Sequence, residues 1–303
     1  ALGLDARFAG AQGAVTVESA VSPGSTFAFS GSSFLRTVRW LRLGVGLRHY
    51  QRGFAALHGS LFDGDIRSDG ETGVYAGIRI DAHPSVRLWG AFDRAVFEPL
   101  QRGSAFSSVR RAAAVSMRWG FLSRAALELQ WRQSQRPEQA EELDFLGRTV
   151  MKAGIRDRES ARITVEYASS RGFRWTSRVE GVVISGEGPG NGERGMLVSQ
   201  QLAGELHTFL HFESRVTVFD ADSYHSRLVA YEGDVPGAFS STLLYGRGIR
   251  WYILLRGNLE AQVGLSFKYA VTRKEGVRRL HTGLDEIEGG LENRIALQVD
   301  VAP

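Results

Sequence analysis

The chain contains no cysteine, only three lysines and seven prolines among 303 residues, and no long apolar run. Without cysteine it can hold no disulfide framework, thiolate metal site or thiol nucleophile. No stretch approaches the roughly 18 consecutive apolar residues of a membrane-spanning helix, so a helical membrane protein is excluded. The net charge of +4 is too small for a dedicated nucleic-acid-binding protein of this size.

Regular alternation of apolar and polar residues runs through the whole chain. In the segments 41–48, 74–81 and 295–301, every second residue is apolar and the residues between are mostly charged, polar or glycine. Successive side chains of a strand point to opposite faces, so each such strand separates an apolar from a polar environment. Many of these segments are about nine to twelve residues long, which is the length of a tilted strand that crosses a bilayer.

The connections between the extended segments are of two kinds, as in an outer-membrane barrel with short turns at one end and long loops at the other. Short connections are predicted at 81–84, 120–123, 157–160 and 257–260. Long connections are predicted at 51–71, 98–105, 134–145, 186–194 and 273–291, with a short helix over 136–143 begun by Pro137. Two of the extended segments are predicted at 226–232 and 239–245.

These patterns predict an all-β fold: one antiparallel transmembrane β-barrel of about fourteen to sixteen strands over residues 1–303, located in the bacterial outer membrane. Alternation starts at the first residues without a basic and apolar leader. We therefore expect either a mature exported protein or the C-terminal part of a longer chain. The apolar side chains would face lipid. The residues predicted to line the interior are Arg42, Arg48, Arg79, Arg87, Arg124, Glu128, Arg162, Glu166, Arg178, Glu180, Arg215, Arg250 and Arg294.

Two acidic groups offer oxygen ligands of the kind that calcium prefers. The first comprises Asp63, Asp65, Asp69 and Glu71, whose spacing does not match an EF-hand. The second comprises the acidic residues of 220–234. Asp side chains commonly fix the turns in which they lie, so a solvated loop and loop-fixing hydrogen bonds are the favoured interpretations. We expect neither a metal nor a cofactor.

Catalytic motifs are equally sparse. No serine lies in a motif with a positioned histidine and asparagine, as a nucleophile would require. His207 and His211 would lie about 13 Å apart along a strand, too far to share a metal ion. We therefore expect that the protein is not an enzyme.

Four motifs form an ordered series in the last third of the chain. They read FDADSYHSR at 219–227, YEGDV at 231–235, YGRGIRWY at 245–252 and TGLDEIEG at 282–289. This region resembles the C-terminal β-barrel of Bacteroidetes-type outer-membrane proteins that carry helix-hairpin-helix domains, whose N-terminal part is similar to competence DNA-uptake proteins. The resemblance implies an outer-membrane barrel of unestablished role.

The resemblance also implies which residues shape the loops. They are Asp220, Asp222, Tyr224, Tyr231, Glu232, Asp234, Gly246, Gly248, Gly283, Asp285 and Glu286. This chain contains no helix-hairpin-helix segment, so nucleic acid would be contacted only by a region outside it. The expected partners are outer-membrane lipid and other envelope proteins.

The sequence leaves several functions open. The leading hypothesis is a barrel that serves as a pore or as the membrane anchor of an envelope or transport complex. One alternative is a soluble or periplasmic β-protein that binds a carbohydrate or another small ligand. Another alternative is a barrel-type lipid hydrolase.

Overall fold

The computed structural model describes residues 2–22, 24–54, 70–98, 108–143, 146, 149–186, 191–260, 263–280 and 286–301. The regular elements within these ranges are β-strands. None of the described residues belongs to a helix long and apolar enough to span a membrane.

The strands follow one another along the chain with the bounds below. The first six are β1 (Leu2–Gly10), β2 (Gly13–Val21), β3 (Phe27–Val38), β4 (Leu41–Tyr50), β5 (Glu71–His83) and β6 (Val86–Phe97). The next six are β7 (Ser108–Leu122), β8 (Ala125–Leu143), β9 (Thr149–Ala168), β10 (Arg174–Gly186), β11 (Arg194–His207) and β12 (Leu210–Ala221). The last seven are β13 (Leu228–Glu232), β14 (Ser240–Leu244), β15 (Gly246–Glu260), β16 (Val263–Lys274), β17 (Arg279–Leu280), β18 (Ile287–Glu288) and β19 (Leu291–Val301).

Among the described residues, fifteen strands form one sheet, within the predicted number. Its order follows the chain from β1 to β12 and continues with β15, β16 and β19, while β13 pairs with β14 and β17 with β18. The chain forms two compact units, each described by itself below. Unit 1 comprises residues 1–118, 130–158 and 186–188, and unit 2 comprises residues 119–129, 159–185 and 189–303.

Short and long connections alternate along the chain, as predicted, but the turn predicted at 257–260 is wrong because β15 continues to Glu260. Short turns occupy 11–12, 39–40, 84–85, 123–124 and 208–209. Long connections occupy 51–70, 98–107, 222–245 and 275–290. In an antiparallel meander, alternate connections lie at opposite ends of the strands, so one end carries the short turns and the other the long ones.

Two predictions about β8 and β9 are wrong. The stretch 134–145 is not a helix-bearing loop, because β8 continues to Leu143, and 157–160 is not a turn, because β9 is continuous from Thr149 to Ala168. The amide nitrogens of Gln133 and Gln135 donate to Asp157 Oδ2 at 2.7 and 3.0 Å. Polar residues that resemble turn formers in the sequence are therefore paired between two long strands.

The strands have two unlike faces, as the alternation predicts. In unit 2, Arg250 and Lys268 are buried, whereas Ile249 on the opposite face is 44% exposed. In unit 1, Arg48 is buried and its neighbour Leu47 is 54% exposed. We call the face that carries Arg48 in unit 1 and Arg250 in unit 2 the polar face, and the other the apolar face.

A buried ion cluster holds the polar face of unit 1. Arg48 Nε donates to Glu71 Oε1 at 2.6 Å, and its two terminal nitrogens donate to Asp93 at 2.6 and 3.0 Å. Arg110 Nη2 lies 3.5 Å from the same Glu71 oxygen. Gly73 lies opposite Arg48, where a Cβ would be 2.5 Å from Arg48 Cζ. The glycine therefore leaves room for the guanidinium to lie flat between two carboxylates.

Replacing Arg48 with Met should destabilise the protein strongly. The substitution leaves Glu71 and Asp93 buried with Arg110 alone. Removing one partner of a buried pair costs about 3–5 kcal/mol. Urea unfolding in detergent micelles, followed by far-ultraviolet circular dichroism, should show a lower midpoint. Arg247→Met is the matched control, since Arg247 pairs with Asp220 in an exposed position. Equal midpoints for the two variants would contradict the role assigned to Arg48.

The apolar face gives a second prediction. On β19, Leu297 is 67% exposed on the apolar face, and the adjacent Gln298 lies on the polar face. If the apolar face contacts lipid, Leu297→Arg should lower the free energy of unfolding in lipid vesicles by about 2–4 kcal/mol, which means that the variant is less stable. Gln298→Arg should have a much smaller effect. Equal losses at the two positions would argue against a lipid-facing side.

Candidate functional site

A β-hairpin lies on the polar face of unit 2. It comprises β13, β14 and residues 233–239 between them, and we call it the polar-face hairpin. Its strands pair in antiparallel register from Leu228 with Leu244 to Glu232 with Ser240. Both long strands that flank it, β12 and β15, pair with each other directly. The hairpin is therefore part of the long connection between β12 and β15, and it folds back over the polar face of the sheet.

An apolar contact fixes the start of the hairpin. Leu228, Ala230 and Leu244 are fully or almost fully buried. They form one cluster with residues of β10, β11 and β12 on the polar face, namely Val182, Ile184, Leu197, Phe219 and Ala221. The polar face is thus apolar beneath the hairpin, and burial of this patch favours docking of β13 and β14.

A bidentate ion pair fixes the end of β13. Arg250 donates to the two carboxylate oxygens of Glu232 at 2.6 and 2.9 Å. Lys268 Nζ lies 3.4 Å from Glu232 Oε2, and the side chains of Glu232 and Lys268 are 2% and 4% exposed. Charges removed from water to this extent are stable only when they are paired and hydrogen-bonded, as these are.

Asp234 extends the same network into the loop. Its Oδ2 accepts from Lys268 Nζ at 3.2 Å, and its Oδ1 accepts from the backbone N–H of Val235 at 2.9 Å. Burial alone would raise the pKa of Asp234, but these donors outweigh it and hold the pKa below its ordinary value. A carboxyl with a lowered folded pKa stabilises the fold above its ordinary pKa, and this contribution is lost as the pH falls through the folded pKa. Asp234 therefore holds the loop at neutral and mildly acidic pH.

Arginines of the sheet also bind the backbone of the hairpin. Arg178 Nη2 donates to Val229 O at 3.3 Å, and Arg215 Nη1 donates to Tyr231 O at 2.7 Å. Arg256 Nη2 donates to Asp234 O at 2.5 Å. Three strands of the sheet, β10, β12 and β15, thus contact the backbone of β13 and of the loop that follows it.

Gly233 allows the closest approach of the loop to the sheet. A Cβ at this position would lie 2.9 Å from Glu213 Oε2 and 3.0 Å from Leu254 Cδ2. Glu213 in turn accepts a hydrogen bond from the hydroxyl of Tyr252. A larger residue would push the loop away from Glu213 and from the donors Arg256 and Lys268 beneath it.

Most predicted interior residues lie on the polar face. Arg162 and Arg178 both donate to Glu180 Oε2. Arg42, Arg79 and Arg87 surround Asp81 in unit 1. Glu128 and Glu166 are half-buried, and Arg294 lies opposite Ala270. The prediction that Arg124 lies on the polar side of a strand is wrong. Arg124 is exposed in the turn 123–124, because β7 continues to Leu122 and the turn falls two residues later than predicted.

The loop residues implied by the resemblance form local contacts. Asp220 pairs with Arg247, and Asp222 accepts from the N–H of Arg194. Tyr224 makes a ring contact with Tyr245, and Glu286 forms an exposed ion pair with Arg279. The two glycines hold tight backbone positions: Gly246 has a φ of 74°, and Gly248 lies beneath Phe219. Gly283 and Asp285 lie outside the described residues.

Most of the first acidic group cannot be compared with the prediction of a solvated loop. Asp63, Asp65 and Asp69 lie outside the described residues, whereas Glu71 is the buried partner of Arg48. Among the described residues, no cluster of three His, Asp or Glu side chains could hold a metal ion.

The return of the hairpin onto the sheet is the feature that sequence reasoning missed. The extended segments at 226–232 and 239–245 were predicted, but nothing local shows that they leave the main sheet. The available signal was the alternation of Leu228, Ala230 and Glu232 within a connection of 24 residues, 222–245. A segment with one apolar side in a loop needs a surface against which to bury it.

Comparison with known proteins supports the fold. No family model matches the chain, and no curated protein matches it. Two mutant forms of the ferric enterobactin receptor of Pseudomonas aeruginosa match 90% of the chain with TM-scores of 0.51 and 0.53 and 11% sequence identity. The chain covers 43% of that receptor. OmpT, an outer membrane protein of Vibrio cholerae, aligns over 99% of this chain and 94% of its own at 10% identity, with a TM-score of 0.39.

The receptor match supports the antiparallel sheet described above. At 11% identity it bears on fold alone. The chain therefore has the antiparallel β-barrel fold of bacterial outer-membrane proteins.

Proposed function

We propose that the protein is a pore for small polar solutes and that the polar-face hairpin narrows it. The observation that carries this proposal is the docking of the hairpin through Glu232 and Asp234 onto Arg250 and Lys268. In a barrel, the polar face lines the lumen. A segment fixed there reduces the cross-section open to solutes and places charged groups beside their path.

The contacts of the hairpin suit a fixed constriction. Two carboxylates meet two cations, and three backbone carbonyls accept from arginines of the sheet. The opposite side of the hairpin carries Tyr231, which is 56% exposed, and Phe239, which is 80% exposed. One side of the hairpin is therefore attached to the sheet, and the other is available to passing solutes.

The alternative within the same fold is a membrane anchor of an envelope complex. It would require the hairpin to close the lumen. A soluble ligand-binding protein does not fit an outer-membrane barrel. We do not propose a hydrolase, because the docked hairpin uses its polar groups in structural pairs.

We also propose that the chain belongs to the helix-hairpin-helix family of outer-membrane proteins that it resembles. Two of its motifs supply Glu232, Asp234 and Arg250, which attach the hairpin. The coding sequence upstream of this chain tests the assignment. A signal peptide followed by helix-hairpin-helix repeats would support it, and an unrelated domain would oppose it.

Planar-bilayer recordings test the pore. The full chain should give discrete single-channel currents. Glu232→Gln should increase and broaden the distribution of conductances, because a neutral amide cannot pair with both Arg250 and Lys268. The matched control is Asp220→Asn, which removes a carboxylate from an exposed pair with Arg247.

Three results would count against this function. An absence of current from protein shown to be folded and inserted would favour the anchor. Equal conductance distributions for Glu232→Gln and the wild type would mean that the hairpin does not narrow the path. A change of the same size in Asp220→Asn would assign the effect to charge alone.

A further inference from the structure

Arginines lie side by side on the polar face of unit 1, next to the short turns. Arg36 of β3 pairs with Arg42 of β4, and Arg42 pairs with Arg79 of β5. Side chains directly opposite in antiparallel strands have Cβ atoms about 4.5–5.5 Å apart, and like charges there are destabilising. Arg87 of β6 joins this group through Asp81. We call these four residues the arginine row.

A single carboxylate contacts three of the four guanidinium groups. Arg79 Nη2 and Arg87 Nε lie 3.2 and 3.1 Å from Asp81 Oδ1, and Arg42 Nη2 lies 3.9 Å from Asp81 Oδ2. Arg36 donates instead to the backbone oxygen of Ala11. Four positive groups and one negative group leave a net charge of +3 on this part of the polar face.

The ion clusters around Arg48 and Arg250 are balanced, in contrast to the arginine row. A second excess of positive charge, where Arg162 and Arg178 share Glu180, involves side chains that are only 24% and 14% exposed. Arg48 and Arg110 meet two carboxylates in unit 1. Within unit 2, Arg250 and Lys268 also meet two carboxylates. The side chains of those balanced clusters are at most 15% exposed, whereas the side chains of Arg42, Arg79 and Arg87 are 35%, 33% and 55% exposed. The row is therefore open to a ligand where the balanced clusters are closed.

Arg42 has unused hydrogen-bonding capacity. Its Nε is buried and has no hydrogen-bond partner among the residues that the structure describes. Among the described residues, its only ion-pair contact, to Asp81, is longer than a hydrogen bond. A guanidinium presents five donors in a planar fork that matches the oxygens of a phosphate group.

We propose that the arginine row is a binding site for a soluble phosphate-bearing anion. A phosphate offers several acceptor oxygens and up to two negative charges, which match neighbouring guanidinium groups better than a single chloride ion does. A lipid headgroup is disfavoured, because the apolar side chains of β4, such as Val45 and Leu47, lie on the opposite face. As far as the site selects solutes, this inference rests on the proposed pore.

Phosphate titration of the folded protein in detergent tests the site directly. Isothermal titration calorimetry with inorganic phosphate should show saturable binding beyond that of sodium chloride at equal ionic strength, which controls for screening. The double variant Arg42→Gln with Arg79→Gln should bind phosphate about tenfold more weakly or worse, since charge-assisted hydrogen bonds are lost. Arg94 is exposed on the apolar face of β6, and Arg247 is exposed in unit 2. The double variant Arg94→Gln with Arg247→Gln therefore removes the same charge outside the row and should bind phosphate as the wild type does.

Thermal unfolding provides a second measurement. A purely structural role of Arg42 and Arg79 would not make the melting temperature depend on phosphate. Without phosphate, the Arg42 and Arg79 double variant should be at least as stable as the wild type, because like charges no longer face each other. Phosphate should raise the melting temperature of the wild type more than that of the double variant. Three results would each overturn the site: the wild type does not bind phosphate, both double variants bind it equally, or the Arg42 and Arg79 variant is destabilised and phosphate has no effect on melting.

The two proposals fail separately. Phosphate binding that depends on Arg42 and Arg79, in a protein that carries no current, would sustain the site and reject the pore. Current without such binding would sustain the pore and reject the site. If both hold, the reversal potential across a potassium chloride gradient should indicate anion preference and should shift toward cations in the Arg42 and Arg79 double variant.

Discussion

The structure depends on the pairing of charged side chains on the polar face. Every buried cation for which a contact is given above has a carboxylate beside it, as Arg48 has Glu71 and Asp93, and Arg250 has Glu232. A charge removed from water without a partner would oppose folding by several kcal/mol. The requirement explains the preference for arginine, because one planar guanidinium can satisfy two carboxylates on neighbouring strands. Pairing between strands also fixes their register, since a shift by one residue would move each charge to the apolar face.

Much of the fold was predictable because strand alternation is a local property. Alternation with their neighbours in sequence predicts one polar face for Arg48, Arg178, Arg215 and Arg250, and all four lie on the polar face; that this face is the interior stays a prediction. The alternating short and long connections followed from turn chemistry between the segments. The error at Arg124 and the two errors in β8 and β9 have one cause: a turn and the end of a polar strand look alike until the pairing partner is known. Asp157 was read as a turn residue, yet it binds Gln133 and Gln135.

The candidate sites were harder to predict because both are made by register. Glu232 and Lys268 are 36 positions apart in the sequence, and only the return of the hairpin brings them together. Arg36, Arg42 and Arg79 become a row only when β3, β4 and β5 are aligned. The sequence contains the charges, but not the distances between them.

The direct pairing of β12 with β15 has a consequence for how such a protein can change. The ladder runs without interruption from Leu210 opposite Gly257 to Ala221 opposite Gly246. The 24 residues between these strands begin and end at neighbouring points of the same wall. Insertions, deletions or substitutions in this stretch can therefore change the hairpin without changing the alignment of any long strand. In evolutionary terms, the sheet and the segment that covers part of its polar face can vary independently within one continuous chain.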